Sequence, residues 1–453
     1  MNASRPILLF FLTMAFSSSL LGFKSASATA VTAGPMVGHV TETTAKVWIN
    51  FGSVVSHEAI AYQNGRKVRG EYQKGYAYQF EGLLPNSPVH VVIRANPGGD
   101  AWETHEVFFR TAAPPEHTGT LRIAFGSCSK DSRHPYVPVW EAMAAEQPDM
   151  SIWVGDNSYF MIGEGNYSTT GPVGDWNSME QMMSRHMVTR TNRYLQNLLR
   201  TTPMYGIWDD HDYGPNNADR EFELKEEALN VFKHVWANPY FGIPSTPGIF
   251  SKFRRGPAEI FLMDDRYHKY VKTNDHPDVS DDDAEIWGQG QLEWLMTELK
   301  RSKAAVKIIA NGTQIISKDG RGEGHFNEAP KEIQKLLDFL KKNKIGGVVV
   351  LSGDRHITEV LRLDQDGGPD IVEFTSSPFQ QNQPVAFLER DHPTHEWAMR
   401  GNSYGLVTIN VTGENEGTVK FEMRDANNFV PKRNADGDRA IAEYSLSSLS
   451  YPK

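Results

Sequence analysis

Cysteine is almost absent from this chain: Cys128 is the single one in 453 residues. One cysteine forms no internal disulfide, so the fold rests on its apolar core. The lone thiol is either an inert buried group or a metal ligand, and its position alone leaves both open. An excess of basic residues is also missing. The formal net charge of -10 excludes a general nucleic-acid binder, which needs a positive field. It leaves a small anionic substrate open, because bound cations override the global field locally. There is no internal repeat and no low-complexity tract, which excludes solenoids and propellers. After the first 30 residues no apolar run is long enough to span a bilayer, so stable membrane insertion is not expected. No paired arginines precede the N-terminal apolar run and no cysteine follows it, which argues against the twin-arginine route and against lipid attachment there.

What is present begins with a targeting pattern. Arg5 supplies a positive start, residues 7–16 are apolar, and Ala26-Ser27-Ala28 and Ala28-Thr29-Ala30 are small-residue cleavage sites. Residues 1–30 therefore read as a signal peptide for the general secretory route, with a periplasmic or extracellular destination. Residues 31–113 read as all-β. Thr44-Ala45-Lys46-Val47-Trp48-Ile49-Asn50 alternates at period two, and turn signals recur at Asn64-Gly65, Leu84-Pro85-Asn86 and Asn96-Pro97-Gly98-Gly99. The spacing predicts a sandwich of the immunoglobulin or fibronectin type. A proline-rich linker, Ala112-Ala113-Pro114-Pro115-Glu116-His117, follows. From about 120 to 425 strands alternate with helices, which predicts a layered α/β unit. Strands are expected at 121–125, 150–154, 204–208, 260–263, 306–310, 348–351 and 371–374, and two more at 406–410 and 419–423. Helices are expected at 178–200, 222–237, 291–302 and 331–342, the first opened by the capping box Ser178-Met179-Glu180-Gln181. Residues 426–453 read as a polar, loosely packed tail. Nothing in the sequence marks an oligomer, and a monomer is expected.

Chemistry-bearing residues stand directly after these apolar runs, where α/β sheets place their ligands. Gly155-Asp156-Asn157-Ser158-Tyr159 follows the run ending at Val154. Asp156 is either a carboxylate bridging two cations or the cap of a turn. Tyr159 is either a core ring or a phenolate, and a phenolate ligand signals a strongly Lewis-acidic trivalent metal. A thiolate at Cys128 points to a transition metal rather than magnesium or calcium. In Asp209-Asp210-His211-Asp212, Asp210 suits a ligand and His211 a general acid or phosphate contact. Asn216 offers an amide oxygen to a hard cation, or a helix cap. In Gly353-Asp354-Arg355-His356, Asp354 and His356 share a side if the segment is extended, and a turn aims Arg355 at a phosphate. Asn311-Gly312-Thr313-Gln314 reads most simply as a turn. Thiol, phenol, carboxylates and imidazoles on successive strand ends predict a two-metal hydrolytic site.

The order of these motifs resembles the calcineurin-like metallophosphoesterases. Their strand ends carry Asp-x-His, Gly-Asp, Gly-Asn-His-Glu/Asp, Gly-His and Gly-His-x-His. The spelling Phe125-Gly126-Ser127-Cys128, Trp208-Asp209-Asp210-His211-Asp212 and Met263-Asp264-Asp265-Arg266 is similar to that of the alkaline phosphatase D (PhoD-like) branch. The resemblance implies an immunoglobulin-like domain followed by a four-layer metallophosphoesterase sandwich. It implies Fe(3+) held by Cys128, Asp156, Tyr159 and His356, and Ca(2+) or another divalent cation held by Asp156, Asp210, Asn216 and Asp354. Arg355 and His211 then stand near the phosphate. This chain departs from the family at Asn157-Ser158, where an aromatic and an aliphatic residue are common, and at Asp212, where Glu is frequent. The expected activity is hydrolysis of small phosphate mono- or diesters by metal-activated water. A phospholipase D-type phosphodiesterase, and a surface-binding protein with a degenerate site, are the alternatives.

Overall fold

The computed structural model describes residues 29–451, apart from 53, 55, 74–75, 99, 101, 116–117, 132–134, 160–173, 321 and 384–391. The targeting segment therefore lies outside the described residues, except for its last two positions. Among the described residues no helix is long and apolar enough to cross a membrane.

Two antiparallel four-stranded sheets form the N-terminal part. One orders its strands Val31–Val40, Thr44–Phe51, Ala77–Glu81, Glu71–Gln73; the other Arg66–Arg69, Ser56–Gln63, Pro88–Asn96, Glu103–Arg110. Strict alternation drives their pairing: Val89, Val91, Ile93 and Ala95 point inward from one strand, while His90, Val92 and Arg94 do not. Val47, Ile49 and Phe80 meet them from the facing sheet. This is the expected β-sandwich. It is stitched to the rest of the chain through main-chain oxygens. Lys46 Nζ donates to Asn238 O and Pro239 O at 2.8 and 2.9 Å, and Arg255 Nη1 donates to Val40 O at 3.3 Å.

The remainder is an α/β sandwich built on two mixed sheets. A six-stranded sheet runs Met204–Ile207, Met150–Val154, Gly119–Gly126, Tyr404–Gly413, Glu416–Arg424, Ile441–Ser445. A seven-stranded sheet runs Ser251–Arg255, Ala258–Leu262, Val306–Ala310, Val348–Ser352, Ile371–Thr375, Thr358–Leu363, His395–Met399. Their inner faces share one apolar core containing Ile123, Phe125, Ile152, Ile308, Val349, Phe374 and Phe421. Helices Gly288–Arg301 and Pro330–Lys342 cover the outer face of the larger sheet with Leu292, Leu295, Leu299, Ile333, Leu336 and Leu340. Each presents its apolar side chains at helical spacing, so burial of one stripe fixes its orientation. The smaller sheet is covered in turn by helices that include Pro138–Glu146 and Lys225–Val235, with Trp140 stacked on Trp153 at 5.5 Å. The order is helix, sheet, sheet, helix, the expected four layers.

Two expectations need correction. The helix expected over 178–200 is two, Met179–Thr191 and Gln196–Thr201, because Asn192 Oδ1 accepts the Tyr194 N–H and turns the chain. Residues past 425 are not loose. Ile441–Ser445 extends the six-stranded sheet, and Ala440, Leu446 and Leu449 enter the core, which a scan for long apolar runs overlooks. Within the Asp209–Asp212 run, Asp210–Tyr213 is a helical turn closed by a reciprocal capping box between Asp209 and Asp212.

Candidate metal centre

The parallel strands of both sheets end on one side, and each delivers a polar residue there. Cys128 follows Gly119–Gly126, Asp156 follows Met150–Val154, Asp210 follows Met204–Ile207, and Asp354 and His356 follow Val348–Ser352. Four of these turn the backbone into the left-handed region: φ is 58° at Cys128, 52° at Asp156, 62° at Asp354 and 55° at His356. Non-glycine residues held there cost about 1–3 kcal/mol each, and such positions cluster at functional sites.

Those turns converge on Asp156. Tyr159 OH donates to Asp156 Oδ2 at 2.6 Å, Cys128 Sγ lies 3.5 Å from the same oxygen, and Tyr159 OH lies 3.3 Å from His356 Nε2. The other oxygen, Oδ1, accepts the His211 N–H at 3.2 Å, and Asp210 Oδ1 accepts that N–H at 2.8 Å. Ligand atoms of Cys128, Asp156 and His356 all lie within 4.8 Å of one another, and so do those of Asp156, Asp210 and His211. Asp156 belongs to both groups.

Electrostatics make this cluster costly without a cation. Burial pushes the Asp156 carboxyl well above its ordinary range, and Asp210 and Asp212 push it further. Burial and then Glu323 raise Asp354 to about 7. Burial and then Asp156 raise both the Cys128 thiol and the Tyr159 phenol. Burial works to raise Asp210 too, but His211, Arg266 and the Asn217 N–H hold it below the usual carboxylate range. Burial lowers His356 to about 4, which keeps its imidazole neutral and able to ligate. A buried set of carboxylates, thiol, phenol and neutral imidazole fits cations and fits little else.

The other expected residues fall as follows. Arg355 is buried beside Asp319, with Nη2 at 3.4 Å from Oδ2. Its segment is not extended: Arg355 N bonds Gly353 O at 2.7 Å, so a tight turn separates Asp354 from His356. Cys128 Sγ meets the Asp354 backbone oxygen at 3.8 Å, while the His356 ring faces Tyr159. The His211 ring packs against the Tyr159 ring, centroids 4.4 Å apart and tilted by 33°, and its buried Nδ1 has no hydrogen-bond partner. Asn216 Nδ2 donates to Asn217 Oδ1 at 2.9 Å, and the Asn217 N–H reaches Asp210 Oδ2 at 2.8 Å. The Asn311 amide oxygen accepts from Trp287 Nε1 at 2.9 Å, which ties it to the fold. The Gly-rich stretch 161–176 suits a wall of the site by its sequence; it lies largely outside the described residues, and its last residue, Trp176, is buried with its ring 6.4 Å from that of His211.

Three features escaped the sequence reading. Lys130 brings Nζ to 5.1 Å from the Tyr159 ring, a cation two residues past Cys128 that nothing in the spacing marks. Arg266 is fully buried and bonds Asp209 Oδ1 through Nε at 2.6 Å and Glu323 Oε2 through Nη2 at 2.5 Å. Asp212 does not face the centre as a ligand. It accepts four N–H groups, from Asn157 N, Asn157 Nδ2, Ser158 N and Asp209 N, at 3.1, 3.0, 3.1 and 3.3 Å. The unusual Asn157-Ser158 pair is thus the clamp that holds the Asp156 turn.

Comparison with known proteins agrees with this geometry. Residues 123–427 match the family of PhoD-like phosphatases. Alkaline phosphatase D of Bacillus subtilis (strain 168) is 24% identical over 291 residues, which is 56% of this chain and 49% of that protein. The chain thus spans about half the length of that curated relative. A solved structure of PhoD superposes with a TM-score of 0.73 at 17% identity, covering 94% of this chain and 92% of the other. A purple acid phosphatase from yellow lupin (Lupinus luteus) superposes at 0.60 with 12% identity, covering 92% and 76%. The two superpositions speak for the fold. The family match spans most of the α/β sandwich and includes every strand end that converges on Asp156, and on that ground the chain belongs to the PhoD-like phosphatase family.

Proposed function

We propose that this chain is a metal-dependent phosphoesterase that hydrolyses small phosphate mono- or diesters. The observation that carries the reading is Asp156, whose two oxygens face two separate ligand groups. In the proposed assignment Cys128, Asp156, Tyr159 and His356 hold Fe(3+), and Asp156, Asp210, Asn216 and Asp354 hold Ca(2+) or another divalent ion. When bound, the metals supply positive charge for the phosphoryl oxygens and an acidified water.

The chain's own groups do the rest. In this reading Arg355, buried beside Asp319, offsets charge on the transferring phosphoryl group. His211, packed against Tyr159 with Trp176 6.4 Å away, protonates the leaving alkoxide in this reading. Lys130 adds a second cation at the rim. The same reading takes residues 1–30 as an export signal, 31–113 as the β domain and 120–425 as the catalytic unit. It places the enzyme in the periplasm or outside the cell.

Hydrolysis of p-nitrophenyl phosphate by the parent and by Asp156→Ala tests this. The variant is expected to lose activity by several orders of magnitude; equal rates sink the reading. Comparing p-nitrophenyl and bis-p-nitrophenyl phosphate separates monoesterase from diesterase.

A further inference from the structure

A second cluster lies apart from the strand-end centre. Glu359, on Thr358–Leu363, and His395, on His395–Met399, sit on neighbouring antiparallel strands, and His392 lies just ahead of the second strand. His395 Nδ1 is 2.7 Å and His392 Nε2 3.6 Å from the same oxygen, Glu359 Oε1. The three ligand atoms lie within 4.8 Å of one another.

The protons decide what this arrangement wants. Thr394 Oγ1 spends its hydrogen on Ile316 O at 3.0 Å. It therefore accepts at His392, whose Nδ1 is 3.1 Å away and carries the proton. In the neutral ring His392 Nε2 is then the acceptor nitrogen. The side chain is only 5% exposed, and this nitrogen has no hydrogen-bond partner. It faces a carboxylate across a gap too wide for a hydrogen bond. With that ring neutral, two acceptors face each other in a buried place, and a cation between them satisfies both. Ligand atoms of a tetrahedral zinc ion, each about 2.0–2.1 Å from the metal, stand roughly 3.3 Å apart, close to the gap observed. The outer contacts that orient ligands are already made: Gln314 Nε2 donates to Glu359 Oε2 at 2.7 Å, and Thr394 holds His392.

We propose that Glu359, His392 and His395 bind a zinc ion. Two imidazoles and one carboxylate suit zinc rather than calcium, which takes oxygen donors, or Cu(I), which takes sulfur. His395 is 19% exposed at the side chain, which opens a path for entry and a fourth position for water. The ion's role is structural. Thr394 also accepts the Lys318 N–H, so the site fastens the 392–395 segment to residues 314–318, and the next residue is Asp319, the partner of Arg355.

The test is zinc content of the whole protein after equilibration against buffered free zinc. His392→Gln and Glu359→Gln are each expected to hold one zinc fewer per chain than the parent, with affinity at that site down at least about 100-fold. Asp156→Ala, altered only at the strand-end centre, is expected to keep this ion. An unchanged zinc count in both variants overturns the proposal. Should either variant fail to fold, zinc-edge anomalous diffraction from crystals of the parent protein decides. A peak bonded to Glu359, His392 and His395 supports the site, and no peak there refutes it.

Discussion

Removing the Asp212 carboxylate should loosen the centre without touching a ligand. Asp212 takes four N–H donors, three of them main-chain, and all are buried. Asp212→Ala strips the acceptor from every one. A single water in the space left satisfies about two of them. The other two remain unpaired at about 1–3 kcal/mol each, so the expected loss of stability is about 4 kcal/mol. Asp212→Asn should behave differently. Its amide oxygen, placed where Oδ2 is now, keeps three of the four donors, and only the Ser158 N–H meets a mismatched NH2 group. It also removes a charge that burial disfavours, since the Asp212 carboxyl is raised to about 7. The expected change is within about 1.5 kcal/mol of the parent. Urea unfolding of the three proteins at pH 8, with metal held constant, reads both numbers. Because Asn157 adjoins Asp156, the Ala variant should also bind metal about 10–100-fold more weakly. An Ala variant within about 1 kcal/mol of the parent, or an Asn variant as damaged as Ala, would refute the clamp.

Three further outcomes are expected. Tyr159→Phe should abolish a visible phenolate-to-iron absorption band; a parent protein with only zinc or magnesium and no band rejects the iron assignment. Gly206→Ala should cost about 1–3 kcal/mol in urea unfolding, because its Cβ would stand 2.3 Å from Trp236 Cε2, and that ring is wedged beside Trp153 and the Arg190 guanidinium. Burial raises Glu373 to about 7 against an ordinary value of 4.5. The native state therefore holds a proton that the unfolded chain releases. That contribution, about 3 kcal/mol, is present in full below 4.5 and disappears as pH rises through 7. Glu373→Gln should remove this fall between pH 5 and 8, and matching slopes in parent and variant would count against it.

Most of the architecture was legible because apolar period and turn chemistry agree. The runs at 150–154 and 348–351 are buried on both faces, and a parallel strand in a layered fold has no other spelling. The candidate ligands were legible because each stands directly after such a run. Contacts made across long stretches of sequence were not. Nothing local at Asp212 reveals that its acceptors serve Asn157 and Ser158, more than fifty residues earlier. The bend after Thr191 depends on one Asn side chain competing with a helix that propensity alone would continue. Ile441–Ser445 is too mixed in composition to announce a strand, and it pairs only because Glu416–Arg424 presents an open edge.

The left-handed turns at Cys128, Asp156, Asp354 and His356 carry a consequence for directed evolution. Glycine tolerates that backbone freely, and at 156 or 354 it would also delete a repelling carboxylate. A selection for thermal tolerance in metal-free medium therefore rewards the loss of these side chains. Survivors of such a screen should accumulate glycine at these four positions, becoming sturdier proteins with no centre.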